Sequence, residues 1–236
     1  MNPLTSRIMP GSDSTLAARA VIWDLDGTLA DSEEYHWLAW QQVMADEGIA
    51  ITHDQFLATF GQRNDTVLTG WLGADASEAH RDRIGETKEA AFRRLVGTRG
   101  CVALPGALDW VQRLGPSGWR QAIASSAPQA NIEVMIEGLG IAGDFDAIAS
   151  SEDVTVGKPD PQVFLIAASR LDVPPSRCIV VEDAAAGVEA ARRAGMPSVG
   201  VRANGDALNA NVFARSLAEL GDTAFDRLLD GMLDEK

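Results

Sequence analysis

Two carboxylates stand one residue apart at the end of an apolar run, and their spacing suits a shared site. The run covers residues 20–23 and stops at Asp24, and Asp26 follows after one apolar residue. On an extended chain these two side chains point to the same side, whereas Leu25 points away. A strand-end turn is the alternative interpretation, because Asp and Gly are favoured in turns. A calcium-binding loop is excluded, since Gly27 holds the fourth loop position and an EF-hand needs glycine at the sixth.

Polar side chains also follow two later apolar runs and occur in a proline-rich loop between them. One run ends at Ser125 and Ser126, the other ends at Glu182 and Asp183, and Lys158 precedes a proline in the loop. Taken singly, the serines are as consistent with a helix cap, and the lysine with a solvated surface charge. Ligands of open parallel sheets bind at the carboxyl ends of the strands, so these side chains are predicted to meet there.

Together these residues predict a Mg²⁺ site with a phosphate group beside it. Two consecutive carboxylates at a strand end are electrostatically costly without a cation. Carboxylate oxygens are the hard ligands that Mg²⁺ prefers, while an ammonium group and hydroxyls suit the oxygens of a phosphate. The combination is far more specific than any of its parts.

The composition indicates a globular protein and excludes several classes of partner. The chain has 236 residues, 46% apolar and 23% charged, which is ordinary for one large domain or a domain with a smaller insert. Its 34 acidic and 20 basic side chains give a net charge of -14, which repels nucleic acid and anionic membrane surfaces. Cys101 and Cys178 lack metal-ligand spacing, and neither a signal-peptide nor a membrane-span pattern is present. A cytoplasmic location is expected, and the sequence says nothing of oligomeric state.

The positions of the apolar runs predict how the chain is organised around these residues. Beyond Pro105, short apolar runs alternate with helical patterns, which is typical of βαβ units and of a parallel sheet covered by helices on both faces. We therefore predict an α/β fold with a doubly wound, Rossmann-like core from residues 18–32 and 100–236. Residues 33–99 carry only helical patterns and are predicted to form an inserted all-helical cap, and residues 1–17 a flexible leader. The two connections between core and cap are the predicted hinges.

The motifs resemble those of the haloacid dehalogenase superfamily of phosphohydrolases over nearly the whole chain after residue 18. The four matching motifs are Asp24-Leu25-Asp26-Gly27-Thr28, Ser125, Lys158 and Glu182-Asp183. The segments 31–36 (DSEEYH) and 157–164 (GKPDPQVF) are similar to those of its β-phosphoglucomutase-like branch, whose members carry a helical cap inserted after the first motif. The resemblance thus implies the same two-part fold as the apolar pattern.

The resemblance also implies Mg²⁺-dependent phosphate chemistry on a small phosphorylated metabolite such as a sugar phosphate. Asp24 would attack phosphorus and form an aspartyl phosphate, and Asp26 would serve as general acid and base. The implied Mg²⁺ ligands are the Asp24 carboxylate, the Asp26 backbone carbonyl and Asp183. Glu182 would support the metal through its water shell.

Other residues are implied to bind the phosphate and the rest of the substrate. Ser125 and Lys158 would hold the oxygens of the transferring group, and Lys158 would also offset the negative charge around Asp24. The remaining substrate-binding residues that the resemblance implies are Thr28, which would orient Asp26 or the phosphoryl group, Ser126, and the cap residues His36, Arg63 and Lys88. Without the resemblance, the three cap residues are equally well explained as one packed helix-face residue and two solvated charges.

Three alternative activities differ in what they require of the sequence. A phosphomutase of the same branch needs a second phosphate site, to which a lysine and an asparagine just after the serine of the second motif often contribute. Here Pro128 and Gln129 stand at those places, so hydrolysis is favoured, although Arg63 remains a candidate partner for a distal phosphate. A dehalogenase would not need Asp26 as a general acid. A non-catalytic protein that binds phosphorylated metabolites would not need all four motifs.

Overall fold

A parallel sheet forms the centre of the molecule in the computed structural model, which describes residues 18–73 and 75–231. The strands are β1 (Ala20–Trp23), β2 (Arg120–Ala124), β3 (Ala147–Ala149), β4 (Cys178–Glu182), β5 (Ser198–Val201) and β6 (Val212–Ala214). Their order is β3-β2-β1-β4-β5-β6, and all neighbours pair in parallel. The winding reverses at β1, so the carboxyl ends of β1, β2 and β4 open onto one crevice. The predicted doubly wound α/β fold is confirmed.

Helices cover both faces of this sheet. The helices are α1 (Glu33–Asp46), α2 (His53–Leu57), α3 (Asn64–Leu72), α4 (Glu78–Arg99), α5 (Ala107–Leu114), α6 (Gln129–Gly138), α7 (Gln162–Arg170), α8 (Ala185–Arg193) and α9 (Ala224–Leu229). Val21 and Trp23 of β1 are buried in a core with α5, α6 and α9, whereas Ala20 and Ile22 are buried on the other face with α7 and α8. Because both faces of β1 are covered, its residues form a continuous apolar run instead of an alternating one.

The last strand is not predicted by the apolar pattern. β6 has three residues, and two of them, Val212 and Phe213, are only half-buried. It lies at the edge of the sheet, where it pairs with β5. A short edge strand of this kind does not produce the long buried run that identifies the inner strands.

Helices are the only extended secondary-structure elements between β1 and α5 within the described residues 24–73 and 75–106. Helices α1 to α4 enclose a separate apolar cluster that includes Trp40, Met44, Phe56, Leu68 and Ile84. The insert thus has an apolar cluster of its own, although Ala39 of α1 and Phe92 of α4 also belong to the cluster that contains β1. Residues 33–99 therefore remain the proposed cap and residues 18–32 and 100–236 the proposed core, and the predicted leader lies outside the described residues.

The two connections between these parts run side by side. The amide of Asp31 donates to the carbonyl of Val102 at 2.9 Å, and the amide of Leu104 donates to the carbonyl of Leu29 at 2.9 Å. An antiparallel bridge joins Ala30 to Ala103 between these bonds. The pairing places the start of α1 and the end of α4 beside the carboxyl end of β1.

Candidate active site

The carboxyl ends of β1 and β4 bring three carboxylates together. Asp24 follows β1, and its amide donates to the carbonyl of Val181 on β4 at 3.0 Å. Glu182 is the last residue of β4, and Asp183 comes next. Asp24, Glu182 and Asp183 each offer one oxygen within 4.8 Å of the others. We call these three residues the acidic cluster.

Lys158 reaches the acidic cluster from the loop before α7. Its ammonium nitrogen lies 2.5 Å from Oδ1 of Asp24 and 2.6 Å from Oε1 of Glu182. It also donates to the carbonyl of Ala124, the last residue of β2, at 3.1 Å. Ser125 follows Ala124 and is buried at the same edge of the sheet. The residues of all four sequence motifs therefore meet at the carboxyl ends of β1, β2 and β4.

The acidic cluster carries more negative charge than Lys158 neutralises. Burial and the neighbouring acids raise the pKa of Asp24 well above its usual value, although Lys158 opposes the shift. Burial and the charge of Glu182 raise the pKa of Asp183 to about 8. Burial alone would lower the pKa of Lys158, but Asp24 and Glu182 raise it. Buried oxygen donors with excess negative charge fit a hard divalent cation, which the three carboxylates could hold.

We expect a divalent cation to stabilise the protein more at high pH than at low pH. The raised pKa values of Asp24 and Asp183 mean that the folded protein binds more protons than the unfolded chain between about pH 4 and pH 8, so these two groups make the metal-free protein less stable as the pH rises. A cation competes with those protons and would contribute about 2.7 kcal/mol at a concentration of 100 times Kd. Thermal unfolding with and without MgCl₂ at about pH 5 and about pH 8 measures the difference.

The matched variants for this measurement are Asp183→Asn and Asp206→Asn. Asp183→Asn should lose most of the stabilisation by MgCl₂ at high pH, because a carboxylate leaves the acidic cluster. Asp206 is exposed in the loop after β5, so Asp206→Asn should behave as the unaltered protein does. An equal effect of MgCl₂ at both pH values would contradict the assignment of the acidic cluster as a cation site.

Two glycines let the backbone pass close to the acidic cluster. At Gly27 the φ angle is +80°, and a Cβ atom there would lie 2.4 Å from Oδ2 of Asp183. At Gly187, on α8, a Cβ atom would lie 1.9 Å from Oε1 of Glu182. The first position requires glycine for its backbone conformation as well as for space. The second lets α8 pack directly on the buried carboxylate.

The substitution Gly187→Ala should damage both stability and activity. Its methyl group must displace the Glu182 carboxylate, which would break the contact with Lys158, and overpacking of this kind costs about 1–3 kcal/mol. The matched control is Gly97→Ala on α4, because a Cβ atom at Gly97 meets no atom of the described residues within 4 Å. Urea unfolding and Mg²⁺-dependent phosphate release measure the two effects. Full activity of Gly187→Ala would show that the position of Glu182 is unimportant.

The side chain of Asp26 makes its contacts with Ser32 and with His36 of the proposed cap. Its Oδ1 accepts a hydrogen bond from the Ser32 hydroxyl at 2.5 Å and contacts Nε2 of His36 at 2.9 Å. Lys88 lies 2.8 Å from Nδ1 of the same imidazole. An ammonium group only donates, so Nδ1 accepts and the imidazole proton lies on Nε2, which donates to Asp26. Burial favours the protonated form of Asp26, but the interactions with His36, Ser32 and Lys88 lower its pKa below the usual value.

A cavity of about 40 Å³ lies between Asp26 and the cap. Of the predicted site residues, Asp26, His36, Lys88 and Ser126 line it. The unpredicted polar residues in its lining are Thr59, Gln62, Asn64 and Glu89. The aromatic rings of Trp40, Phe56 and Phe60 complete the wall on the side of the cap. The cavity thus combines a carboxylate with amide, hydroxyl and apolar surfaces, as a small polar ligand requires.

Two predicted substrate-binding residues are not brought into this cavity. The guanidinium of Arg63 donates to the carbonyls of Ser151 at 2.7 Å and Val154 at 3.0 Å, and it also pairs with Asp65. Arg63 thereby joins the start of α3 to a loop of the core, which explains why it does not point at the cavity. The hydroxyl of Thr28 is fully buried without a hydrogen-bond partner among the described residues, so no bond to Asp26 or another polar group orients it. Other atoms of Thr28 line a different cavity, together with Ser216.

Besides Thr59 and Gln62, four polar residues at the site have no counterpart among the predicted ones. Ser32 binds Asp26, Asn64 and Glu89 line the cavity, and Arg202 donates from Nε to the carbonyl of Asp183 at 3.1 Å. One signal could have identified Glu89. The buried residues of α4 follow the spacing of a single helix face, and Glu89 falls on that face together with Lys88. No comparable pattern of apolar residues identifies Ser32, Asn64 or Arg202.

Comparisons with known proteins identify the family of this chain and several relatives. A family model for haloacid dehalogenase-like hydrolases matches residues 18–195. The chain is 33% identical over 208 residues to beta-phosphoglucomutase of Bacillus subtilis strain 168, with 86% of this chain and 91% of that protein covered. It is also 33% identical over 222 residues to hexitol phosphatase B of Escherichia coli O157:H7, with 89% and 96% covered.

The solved structures give the same result for the fold. The crystal structure of beta-phosphoglucomutase from Clostridium difficile superposes with a TM-score of 0.81 at 29% identity and covers 91% of this chain and 98% of that one. None of the helices described here combines the length and the apolar composition that a membrane span requires. Because the family match spans most of the chain and the sheet order agrees with it, the chain belongs to the haloacid dehalogenase-like hydrolases, with a fold of the β-phosphoglucomutase type.

Proposed function

We propose that the protein is a Mg²⁺-dependent phosphatase that cleaves a small phosphorylated metabolite, a sugar phosphate in particular, through an aspartyl phosphate. The observation that supports this best is that two carboxylates of the same loop lie in different environments. Asp24 lies in the acidic cluster beside Lys158, whereas Asp26 is turned toward Ser32 and His36 below the cavity. Acids that stand close together in different environments are typical of enzymes that divide nucleophilic and acid-base work between them.

Asp24 is the proposed nucleophile. One carboxylate oxygen attacks phosphorus, the bond from phosphorus to the leaving oxygen breaks, and the phosphoryl group passes to Asp24. Lys158, at 2.5 Å from Asp24, is the proposed donor to the phosphoryl oxygens, together with Ser125. The charge of Lys158 would be useful in both steps, because negative charge stays on those oxygens throughout.

The acidic cluster is the proposed Mg²⁺ site. The proposed ligands are the carboxylates of Asp24 and Asp183 and the backbone carbonyl of Asp26. Glu182 is assigned to the surrounding shell, because it already accepts hydrogen bonds from Lys158 at 2.6 Å and from a backbone amide at 2.9 Å. When bound, Mg²⁺ would offset the negative charge of the phosphate and of the nucleophile.

Asp26 is the proposed general acid and base. The two hydrogen bonds to its Oδ1 favour the carboxylate, which suits removal of a proton from water in the second step. The first step needs the protonated form, and the negative charge of a bound phosphate raises the pKa of a nearby carboxyl. Water attacks the phosphoryl group on Asp24, inorganic phosphate leaves, and the carboxylate of Asp24 is restored.

Hydrolysis is proposed over mutase activity because the groups that could form a second phosphate site are engaged elsewhere. Pro128 precedes α6 and offers no polar side chain. The side-chain amide of Gln129 donates to the carboxylate of Glu133 in the same helix. Arg63 is bonded to carbonyls of the core. Lys88 lines the cavity, but its ammonium is bonded to His36 and to Glu89. The named relatives include both a mutase and a phosphatase, so these contacts are what favours hydrolysis.

We expect free phosphate to appear from a hexose monophosphate without any priming bisphosphate, at a rate that matches substrate loss. A mutase instead needs priming and forms isomerised sugar faster than phosphate. A screen over hexose, pentose and triose phosphates with Mg²⁺, run beside a coupled assay for conversion of β-glucose 1-phosphate to glucose 6-phosphate, measures both products. An isomer that forms faster than phosphate would favour the mutase, and absence of turnover on every substrate, acetyl phosphate included, would favour a non-catalytic binding protein.

A further inference from the structure

We infer that Glu89 is a specificity-determining residue that excludes a second negative charge from the leaving group of the substrate. The inference rests on the proposed phosphatase activity and narrows its substrate class. The preferred substrates are monophosphates whose remaining part is an uncharged, hydroxyl-bearing group. Bisphosphates of the same sugars are rejected.

Glu89 lies between the cavity above Asp26 and a larger groove. The cavity above Asp26 has a volume of about 40 Å³, close to the space of one or two water molecules. A groove of about 440 Å³ lies between α3, α4 and the start of α6. Asn64 and Glu89 line both spaces, so they form the partition between them. A leaving group that extends from the cavity into the groove would therefore contact this pair.

The carboxylate of Glu89 is fixed in this partition by hydrogen bonds to both of its oxygens. Oε1 accepts from Nζ of Lys88 at 2.9 Å and from Nδ2 of Asn64 at 2.7 Å. Oε2 accepts from the amide of Asn131 on α6. Burial favours the protonated acid, but Lys88, His36 and Asn64 lower the pKa of Glu89, so the group carries its negative charge. The carboxylate cannot turn away from a ligand without losing these partners.

The positive charge next to Glu89 is not available to a second phosphate. Lys88 is buried, and its ammonium donates to Glu89 and to Nδ1 of His36. Arg81 and Arg93 also line the groove, but five carboxylates line it with them, those of Asp65, Asp82, Glu86, Glu89 and Glu152. A phosphate that reached the groove would therefore meet an excess of negative charge. Repulsion between like charges in a desolvated site discriminates strongly against the wrong ligand.

The other polar groups of the cavity suit neutral hydroxyls. The amides of Gln62 and Asn64 and the hydroxyls of Thr59 and Ser126 line the same space. Each of these groups can donate to and accept from a sugar hydroxyl without adding charge. The polar lining of the cavity can thus bind the hydroxyls of a polyol, while Glu89 repels an anion.

The test is the competition of two sugars that differ by one phosphate. Glucose 6-phosphate and glucose 1,6-bisphosphate are used as inhibitors of acetyl phosphate hydrolysis in the presence of Mg²⁺, and their inhibition constants are compared. In the unaltered protein we expect the constant of the bisphosphate to be at least about tenfold higher. In Glu89→Gln, which keeps the shape of the side chain and removes its charge, we expect this ratio to fall by about tenfold.

Two further variants separate the charge of Glu89 from its role as a hydrogen-bond acceptor. Glu89→Asp keeps the charge and should keep a ratio in favour of the monophosphate. Glu137→Gln is the matched control, because Glu137 is exposed on α6 and outside both linings, and it should leave the ratio unchanged. If Glu89 acted only as a tether for Asn64 and Asn131, Glu89→Gln would change both inhibition constants by the same factor.

Three results would overturn the inference. They are tighter binding of the bisphosphate by the unaltered protein, an unchanged ratio in folded Glu89→Gln, and failure of both sugars to compete with acetyl phosphate. The first and third results are measured on the unaltered protein. The inference can therefore be contradicted even if the Glu89→Gln variant does not fold. Acetyl phosphate hydrolysis by the unaltered protein tests the proposed function separately. If that hydrolysis is absent, the proposed function fails, and calorimetric dissociation constants of the two sugars decide the inference instead.

Discussion

Asp24→Asn is expected to abolish turnover and to leave the fold intact. The amide has nearly the shape of the carboxylate, but it is a far weaker nucleophile and a weaker ligand for a cation. Asp24 lies in the acidic cluster, where burial and neighbouring acids raise its pKa, so loss of its charge relieves repulsion there. Lys158 keeps its contact with Glu182 at 2.6 Å. The free energy of unfolding without metal should therefore be unchanged or slightly higher.

Phosphate release and urea unfolding measure these two results. The matched control is Asp31→Asn, because Asp31 is an exposed acid in the connection to the cap. This control should keep full activity. If Asp24→Asn retained more than a few per cent of the activity on any substrate, Asp24 would not be the nucleophile, and the proposed aspartyl phosphate would have to be abandoned.

Asp26→Asn is expected to separate acid-base catalysis from binding of the cation. The variant should still bind Mg²⁺, because the proposed ligand at this position is a backbone carbonyl. Its rate on a sugar phosphate should fall by about 10²–10⁴, the usual contribution of a general acid or base. The fall should be smaller on p-nitrophenyl phosphate, since nitrophenolate hardly needs a proton to leave.

The comparison of the two substrates gives this prediction its test. Stabilisation by MgCl₂ in thermal unfolding serves as the control for binding of the cation, and Asp26→Asn should show the same stabilisation as the unaltered protein. An equal loss of rate on p-nitrophenyl phosphate and on the sugar phosphate would contradict protonation of the leaving group as the main role of Asp26. Loss of the stabilisation by MgCl₂ would instead assign the Asp26 side chain to the cation site.

Local patterns in the sequence determine the sheet and the order of the motifs along it. The inner strands are covered on both faces, so residues such as Ile22 and Val180 belong to unbroken apolar runs that identify them without a partner. The polar residues that end those runs must lie at one edge, because parallel strands present the same end to the same side. Asp24 and Asp183, which follow β1 and β4, were therefore predictable neighbours. The edge strand β6 was not predictable in this way, because it has only three residues and two of them are half-buried.

Only the tertiary structure decided what the charged residues of the helical insert do. Arg63 precedes α3, and the sequence alone is consistent with a solvated charge there. The helical spacing of α4 indicates only that Glu89 shares a face with buried residues. Arg63 donates hydrogen bonds to two backbone carbonyls of the core. Glu89 is buried and accepts hydrogen bonds from Lys88, Asn64 and Asn131. The partners of Glu89 lie up to 42 residues away, and neither apolar spacing nor propensity records such contacts. The residues of the proposed reacting centre are thus determined by local motifs at strand ends. The proposed selection of the substrate depends instead on which distant polar groups come together when the cap packs on the core.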